Sequence, residues 1–278
     1  MRTLVLATVC CLLTAAVGSA GAQGRETGFL NRHVTIDSAT FRYQVYVPPD
    51  YSIDRMWPVI VWLHQNGPQG TDGIRPTDIG LGQVIRNWVL IDGTAKQSQW
   101  FPGIVVFPQA SPGHLWDHAM QVQTLAALDA VSNEFRVDSG RTYLVGWSMG
   151  GRGVWSLAAR LPDRFAAIVV IAGPVAYMPE SLTSLQRETA LRENDFLRSA
   201  DPFTALASKI RGLPTWVFQG AADQAAPPEE ARRIWRALQE VNPGAKYTEY
   251  ANVGHSPDRS LAEPDLWPWL FSQKKERK

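Results

Sequence analysis

Along this chain, short apolar runs alternate with longer stretches in which apolar residues recur every three or four positions. "VIVWLH" (Val59 to His64) is continuously apolar up to its last residue, the pattern of a strand buried on both faces of a parallel sheet. Runs of the same kind recur at "GIVVFP", "TYLVGW", "FAAIVVIAG", "PTWVFQG" and "KYTEYA". Upstream, "HVTID" and "FRYQVYVP" alternate or are β-branched, and lie close enough to pair as antiparallel strands. Helical spacing falls between the strands, over about Ile79 to Leu90, Ala119 to Phe135, Met149 to Arg160 and Pro228 to Val241, and "LAEPDLWPWLFSQ" closes the chain. Strand and helix alternating with right-handed crossovers predict an α/β fold: a doubly wound, mostly parallel sheet of eight strands.

One stretch breaks the rhythm. Pro174 to Gly212 separates two strands by about 40 residues, where two to six plus one helix suffice. Its end is legible: Asp201 as N-cap, Pro202 at the first helical position and Gly212 as a stop. The polar part, Tyr177 to Ser199, reads either as a surface excursion or as a cap over the site, which makes 175–212 a candidate cap insertion.

The first residues change the picture of where the chain goes. Arg2, an apolar stretch of 14 residues from Leu4 to Val17, and Ala20-Gly21-Ala22 have the anatomy of a secretory signal peptide. That stretch is short against the roughly 20 residues that span a bilayer. The expectation is a signal peptide over 1–22, a catalytic domain over 23–278, and a secreted or periplasmic protein without stable membrane insertion. Both cysteines, Cys10 and Cys11, fall inside the leader, so the mature domain would hold together by its core alone. Lys and Arg total 27 against 26 Asp and Glu, a balance that gives nucleic acid no purchase. No histidine or carboxylate set has metal-ligand spacing and no glycine run has phosphate-loop or dinucleotide spacing, so neither metal nor cofactor is expected.

The chemistry begins at "TYLVGWSMGGRGVW", where Ser148 lies between glycines at the turn from the fifth strand into its helix. A nucleophile elbow has that form: a strained turn presents the serine, and the helix N-terminus points free N–H groups at a forming oxyanion. A serine hydroxyl needs a base, and the base an acid that holds its tautomer. Of the five histidines only His255 follows the elbow, directly after the last strand; His33, His64, His114 and His118 precede it. The acid is expected after the strand before, and Asp223 stands there, in "PTWVFQGAADQAAPP". Asp195, Asp201 and Asp258 follow no strand end at that place. One oxyanion donor is the backbone N–H of Met149. The other comes from the loop after the third strand, "LHQNGPQGTDG", with Asn66 first and Gln65 second, since Pro68 has no N–H. Most of the eleven tryptophans read as core, but Trp147 beside the nucleophile and Trp116 in "PGHLWDHAM" fall where substrate would lie.

Taken together, "YVPPDY", "WPVIVWLH", "VVFPQ", "GWSMGGRGVW", "PDRFAAIV", "FQGAAD" and the late Gly254-His255 resemble the α/β-hydrolases. Within them the chain is similar to the secreted esterases grouped as predicted peptidases or phospholipase/carboxylesterase-like proteins, kin to dienelactone hydrolases and polyhydroxybutyrate depolymerases. The resemblance covers about Phe41 to Ser272 and implies acyl transfer to serine. Two departures stand out: Gln65 where that group commonly has glycine, and Gln219-Gly220 where it often has His-Gly. The expected activity is hydrolysis of carboxylic esters, short acyl or aromatic, on a small molecule or a polymer such as plant polysaccharide. Polyester depolymerase, serine peptidase and noncatalytic binding module are the rival readings. The first needs an open flat site, and the last would make the substituted loop its sign.

Overall fold

The computed structural model describes residues 26–88 and 100–275. The leader and the last part of the helix expected to reach Leu90 lie outside the described residues.

Among the described residues, eight strands form one sheet in the order β1-β2-β4-β3-β5-β6-β7-β8. They are β1 (Gly28–Ile36), β2 (Ala39–Val47), β3 (Trp57–Leu63), β4 (Ile104–Pro108), β5 (Val137–Trp147), β6 (Ala167–Ile171), β7 (Thr215–Gly220) and β8 (Lys246–Tyr250). β3 to β8 run parallel, while β2 pairs antiparallel with both β1 and β4. The hairpin turn joining β1 to β2 is Asp37-Ser38, both at positive φ (48° and 69°), the two-residue geometry that matches strand twist. The expected α/β class and strand count hold, and β1 starts earlier than its β-branched core suggested.

Period-2 burial divides the core. On β3, Val59, Val61 and Leu63 face one apolar layer, while Ile60 and Trp62 face the other. Both layers are covered by helices, which is why the whole strand is apolar. The helices are α1 (Leu81–Arg86), α2 (His118–Glu134), α3 (Met149–Arg160), α4 (Ser184–Glu193), α5 (Pro202–Lys209), α6 (Pro228–Val241), α7 (Asp258–Leu261) and α8 (Leu266–Ser272). Asp117 caps α2 by accepting from Met120 N–H, and Asp201 caps α5 by accepting from Phe203 N–H. α5 ends at Lys209, short of Gly212, whose φ of 75° completes the turn.

The surplus segment is not formless. Thr183 and Gln186 form a reciprocal capping box that starts α4. Gln186 Nε2 donates to Gly113 O at 3.0 Å and Glu193 Oε2 accepts from His118 N–H at 2.7 Å. Those two bonds fasten one end of α4 to the loop after β4 and the other to the start of α2.

From β3 the chain builds outward to β4 on one side and returns to β5 on the other. That reversal is a topological switch point, and in open α/β sheets ligands bind at the carboxyl ends of the strands there.

Candidate active site

Ser148 directly follows β5 at φ 56°, ψ −117°, a positive φ for a residue with a side chain, and it occupies the N-cap position of α3. Its own N–H donates to Ile171 O at 2.9 Å, tying the turn to β6. The close glycine is Gly150: a Cβ there would lie 1.8 Å from Leu63 O and 2.8 Å from His64 O. No other residue lets the elbow approach the end of β3 so closely. This contact places the first turn of α3 beside the loop Gln65 to Gly70.

Ser148, His255 and Asp223 come together from three strand ends. His255 Nε2 lies 2.7 Å from Ser148 Oγ, and His255 Nδ1 lies 2.7 Å from Asp223 Oδ2. An ionised carboxylate only accepts, so Nδ1 donates to Asp223 and Nε2 is left to accept the serine proton. Ser148 and His255 are partly exposed, while Asp223 is buried. Asp195, Asp201 and Asp258, the weaker alternatives, make no contact with His255; the first two pair with Lys209 and Arg233.

Asp223 is satisfied on every side. Oδ1 accepts from the N–H groups of Ala225 (2.8 Å) and Ala226 (2.9 Å), and Oδ2 also accepts from Gln219 Nε2 at 3.1 Å. Burial alone would raise its pKa, but the hydrogen bond from His255 and those two backbone donors outweigh it and hold the carboxyl below the usual aspartate value. Gln219 stands where the resembling group often has histidine. Its side chain also reaches Gly220 O and Ala226 O, so it fastens the acid's turn.

The loop after β3 is organised by His64. Its ring is fully buried, with Nε2 accepting from Ala110 N–H at 3.0 Å, so Nδ1 carries the proton and donates to Gln65 O at 2.6 Å. Burial pulls its pKa down to about 4, which keeps this tautomer neutral. The C=O of Gln65 and the N–H of Asn66 belong to one trans peptide and point in opposite directions. Holding the carbonyl inward on His64 therefore turns the Asn66 N–H away from the core. Gln109, at the end of β4, braces the rest of the loop, donating to Pro68 O and accepting from Gly73 N–H, both at 2.7 Å. Gln69 Nε2 donates to Asn66 Oδ1 (2.7 Å) and approaches Met149 Sδ (3.4 Å), which links the two proposed donor residues.

Gln65 itself is buried and is absent from the residues with positive φ, so its Cβ strains nothing. The glycine common at this position is not needed for the backbone this loop adopts.

The two tryptophans part company. Trp147 is partly exposed and its ring lies 5.7 Å from that of His255, next to the nucleophile. Trp116 is instead 3% exposed, with its indole N–H donated to His64 O at 2.9 Å and its Cβ packed where Gly153 has no side chain. It props the loop after β3 and is largely buried, yet it also borders the cavity between the loop after β4 and α4. The reason is tertiary: α3 offers a glycine opposite it, so the ring sinks inward.

Among the described residues, no cluster of three His, Cys, Asp or Glu side chains is arranged to hold a metal, and no helix is long and apolar enough to cross a membrane.

Fold and constellation define a serine hydrolase with the α/β-hydrolase fold. Residues 113–266 match the prolyl oligopeptidase family, and the chain belongs to it. It is 24% identical over 176 residues to a probable feruloyl esterase C of Aspergillus terreus (strain NIH 2624 / FGSC A1156), a match covering 63% of this chain and 61% of that protein. The chain thus matches about three fifths of the length of that relative. Among solved structures, a thermostable esterase superposes with a TM-score of 0.67 at 23% identity, covering 88% of this chain and 63% of that one. A ferulic acid esterase superposes at 0.63 with 16% identity over 87% and 97% of the two chains. Porphyromonas gingivalis dipeptidyl peptidase 4 gives 0.66 at 15% identity over 90% and 36%. At such identities these likenesses establish the fold alone.

Proposed function

We propose that this chain is a secreted or periplasmic serine esterase that hydrolyses carboxylic esters with short or aromatic acyl groups, on small molecules or linked to a polymer. The observation that carries the reading is the Ser148 Oγ to His255 Nε2 contact of 2.7 Å at a strained elbow, continued to Asp223. Ser148 Oγ attacks the ester carbon as its proton passes to His255 Nε2, and the carbonyl electrons move onto oxygen. The N–H groups of Met149 and Asn66 hold that oxyanion, with Gln65 the second choice on the loop side. The carbon–oxygen bond to the alcohol then breaks, and His255 returns the proton to the leaving oxygen. Water repeats the sequence on the acyl-enzyme: His255 takes its proton, the acid is released and Ser148 regains its hydrogen. Asp223 fixes the imidazole and stays ionised throughout. Trp147 flanks the site as a substrate wall.

The family also supports a second reading, a peptidase. The two differ in what His255 must protonate, an alkoxide or an amine. Ester against amide therefore decides. Nitrophenyl acetate, longer acyl esters, a feruloyl ester, a polyester film and prolyl nitroanilide are offered at equal concentration. The esterase reading predicts kcat/KM for the esters well above that for the amide; preference for the prolyl amide would replace it with the peptidase.

A further inference from the structure

A cavity of about 470 Å³ lies between α4 of the surplus segment and the loop after β4. Leu115, Leu185 and Ala190 give it apolar walls, Thr189 and Ser156 give it hydroxyls, and Arg152 lies on its border. Arg152 and Ser156 follow Ser148 on α3 by one and two turns, about 6 and 12 Å along the axis. Its lining on α3 therefore starts one turn after the nucleophile. α4 closes it through the two hydrogen bonds to Gly113 and His118.

Sheet order says which half of an ester would enter. His255 arrives from β8, on the β6 side of β5, while the cavity's loop arrives from β4, on the β3 side. The leaving alcohol must face His255 to receive its proton, so the acyl group extends the other way, past the loop of β3 and toward the cavity.

Arg152 says what kind of acyl group. Its guanidinium donates to Val175 O at 3.3 Å and to Tyr177 O, and Glu230 Oε2 accepts from the N–H groups of Val175, Ala176 and Tyr177 at 2.7 to 3.0 Å. Guanidinium N–H bonds lie in the plane of the group. Two of its five N–H groups go to these carbonyls, which fixes the plane of the guanidinium, and a plane held in this way offers its face to an aromatic ring.

We propose that this cavity is the acyl-side specificity pocket, taking the ring of an arylalkanoyl ester against Leu115, Leu185 and Ala190, with Arg152 facing it. The inference rests on the esterase reading of Ser148. An acetyl group is too short to reach Arg152; a 3-phenylpropanoyl group has the length.

The test compares nitrophenyl acetate, hexanoate and 3-phenylpropanoate. The wild type is expected to turn over the phenylpropanoyl ester with a kcat/KM above that of the hexanoyl ester. Thr189→Trp, which fills the cavity, is expected to lower the phenylpropanoyl-to-acetyl ratio of kcat/KM at least tenfold. An unchanged ratio in folded Thr189→Trp overturns the inference while Ser148-dependent acetyl ester turnover leaves the esterase reading standing. Absence of any ester turnover in the wild type overturns both. If Thr189→Trp does not fold, free acids decide on the wild type. Competitive inhibition by 3-phenylpropanoate at least tenfold tighter than by hexanoate supports the pocket, and equal inhibition overturns it.

Discussion

Replacing Asp223 by Asn removes one charge and turns one acceptor oxygen into a donor. With the amide nitrogen in place of Oδ2, it faces His255 Nδ1–H and Gln219 Nε2, both donors. With the amide flipped, the nitrogen faces the N–H groups of Ala225 and Ala226 instead. The second arrangement opposes two fixed backbone donors, so the first is expected, and His255 must then move its proton to Nε2. A histidine protonated at Nε2 cannot accept from Ser148. The loss of tautomer control and of the charge that stabilises the imidazolium costs about 10⁴-fold in kcat, which is about 5.5 kcal/mol of barrier at 1.36 kcal/mol per tenfold. The assay is nitrophenyl acetate hydrolysis near neutral pH, with circular dichroism to show that the fold persists. A folded Asp223→Asn protein with kcat within tenfold of the wild type would refute the reasoning.

Other outcomes follow from the same geometry. His64→Phe keeps a ring against Trp116 but strands Gln65 O and Ala110 N–H, at a cost of about 1–3 kcal/mol for each buried group left unpaired; it also frees the Asn66 peptide, and kcat should fall roughly 10²- to 10³-fold. Urea melts and kcat on the acetyl ester read both effects. Gln65→Gly should change kcat by less than tenfold, because Gln65 already holds its backbone without positive φ; a hundredfold gain would mean that the loop is impaired as it stands. Asp223 has a folded-state pKa below its unfolded value, about 3.9, so its stabilising contribution is complete above that pH and disappears as pH falls through the lowered value. The difference in Tm between wild type and Asp223→Asn should accordingly shrink as the pH is taken below about 4.

Much of this site was legible in one dimension because the fold orders it. A serine in a strand-to-helix glycine turn, an aspartate after β7 and a histidine after β8 are each fixed by which strand they follow, and the apolar runs mark the strands. The helix α4 could have been read from Thr183 and Gln186, three apart, but its polar surface hides the period that usually reveals a helix. The supports were not legible. Ala110 donates to His64 across 46 residues, and Gln109 reaches Pro68 across 41. Nothing local distinguishes those residues from ordinary strand ends. The burial of Trp116 was hidden for the same reason: it depends on Gly153, which faces it from another element. The role of Gln219 was not legible either, because it is a hydrogen bond to an acid four residues on, within a turn whose shape the sequence does not declare.

The central claim is that Ser148 is the nucleophile, and covalent trapping tests it most directly. The protein is treated with an organophosphonofluoridate, digested, and analysed by mass spectrometry, alongside Ser148→Ala. The account predicts one adduct, on the peptide containing Ser148, and its disappearance together with a roughly 10⁶-fold loss of ester turnover in Ser148→Ala. An adduct on another residue, or ester turnover by folded Ser148→Ala comparable to the wild type, would contradict it.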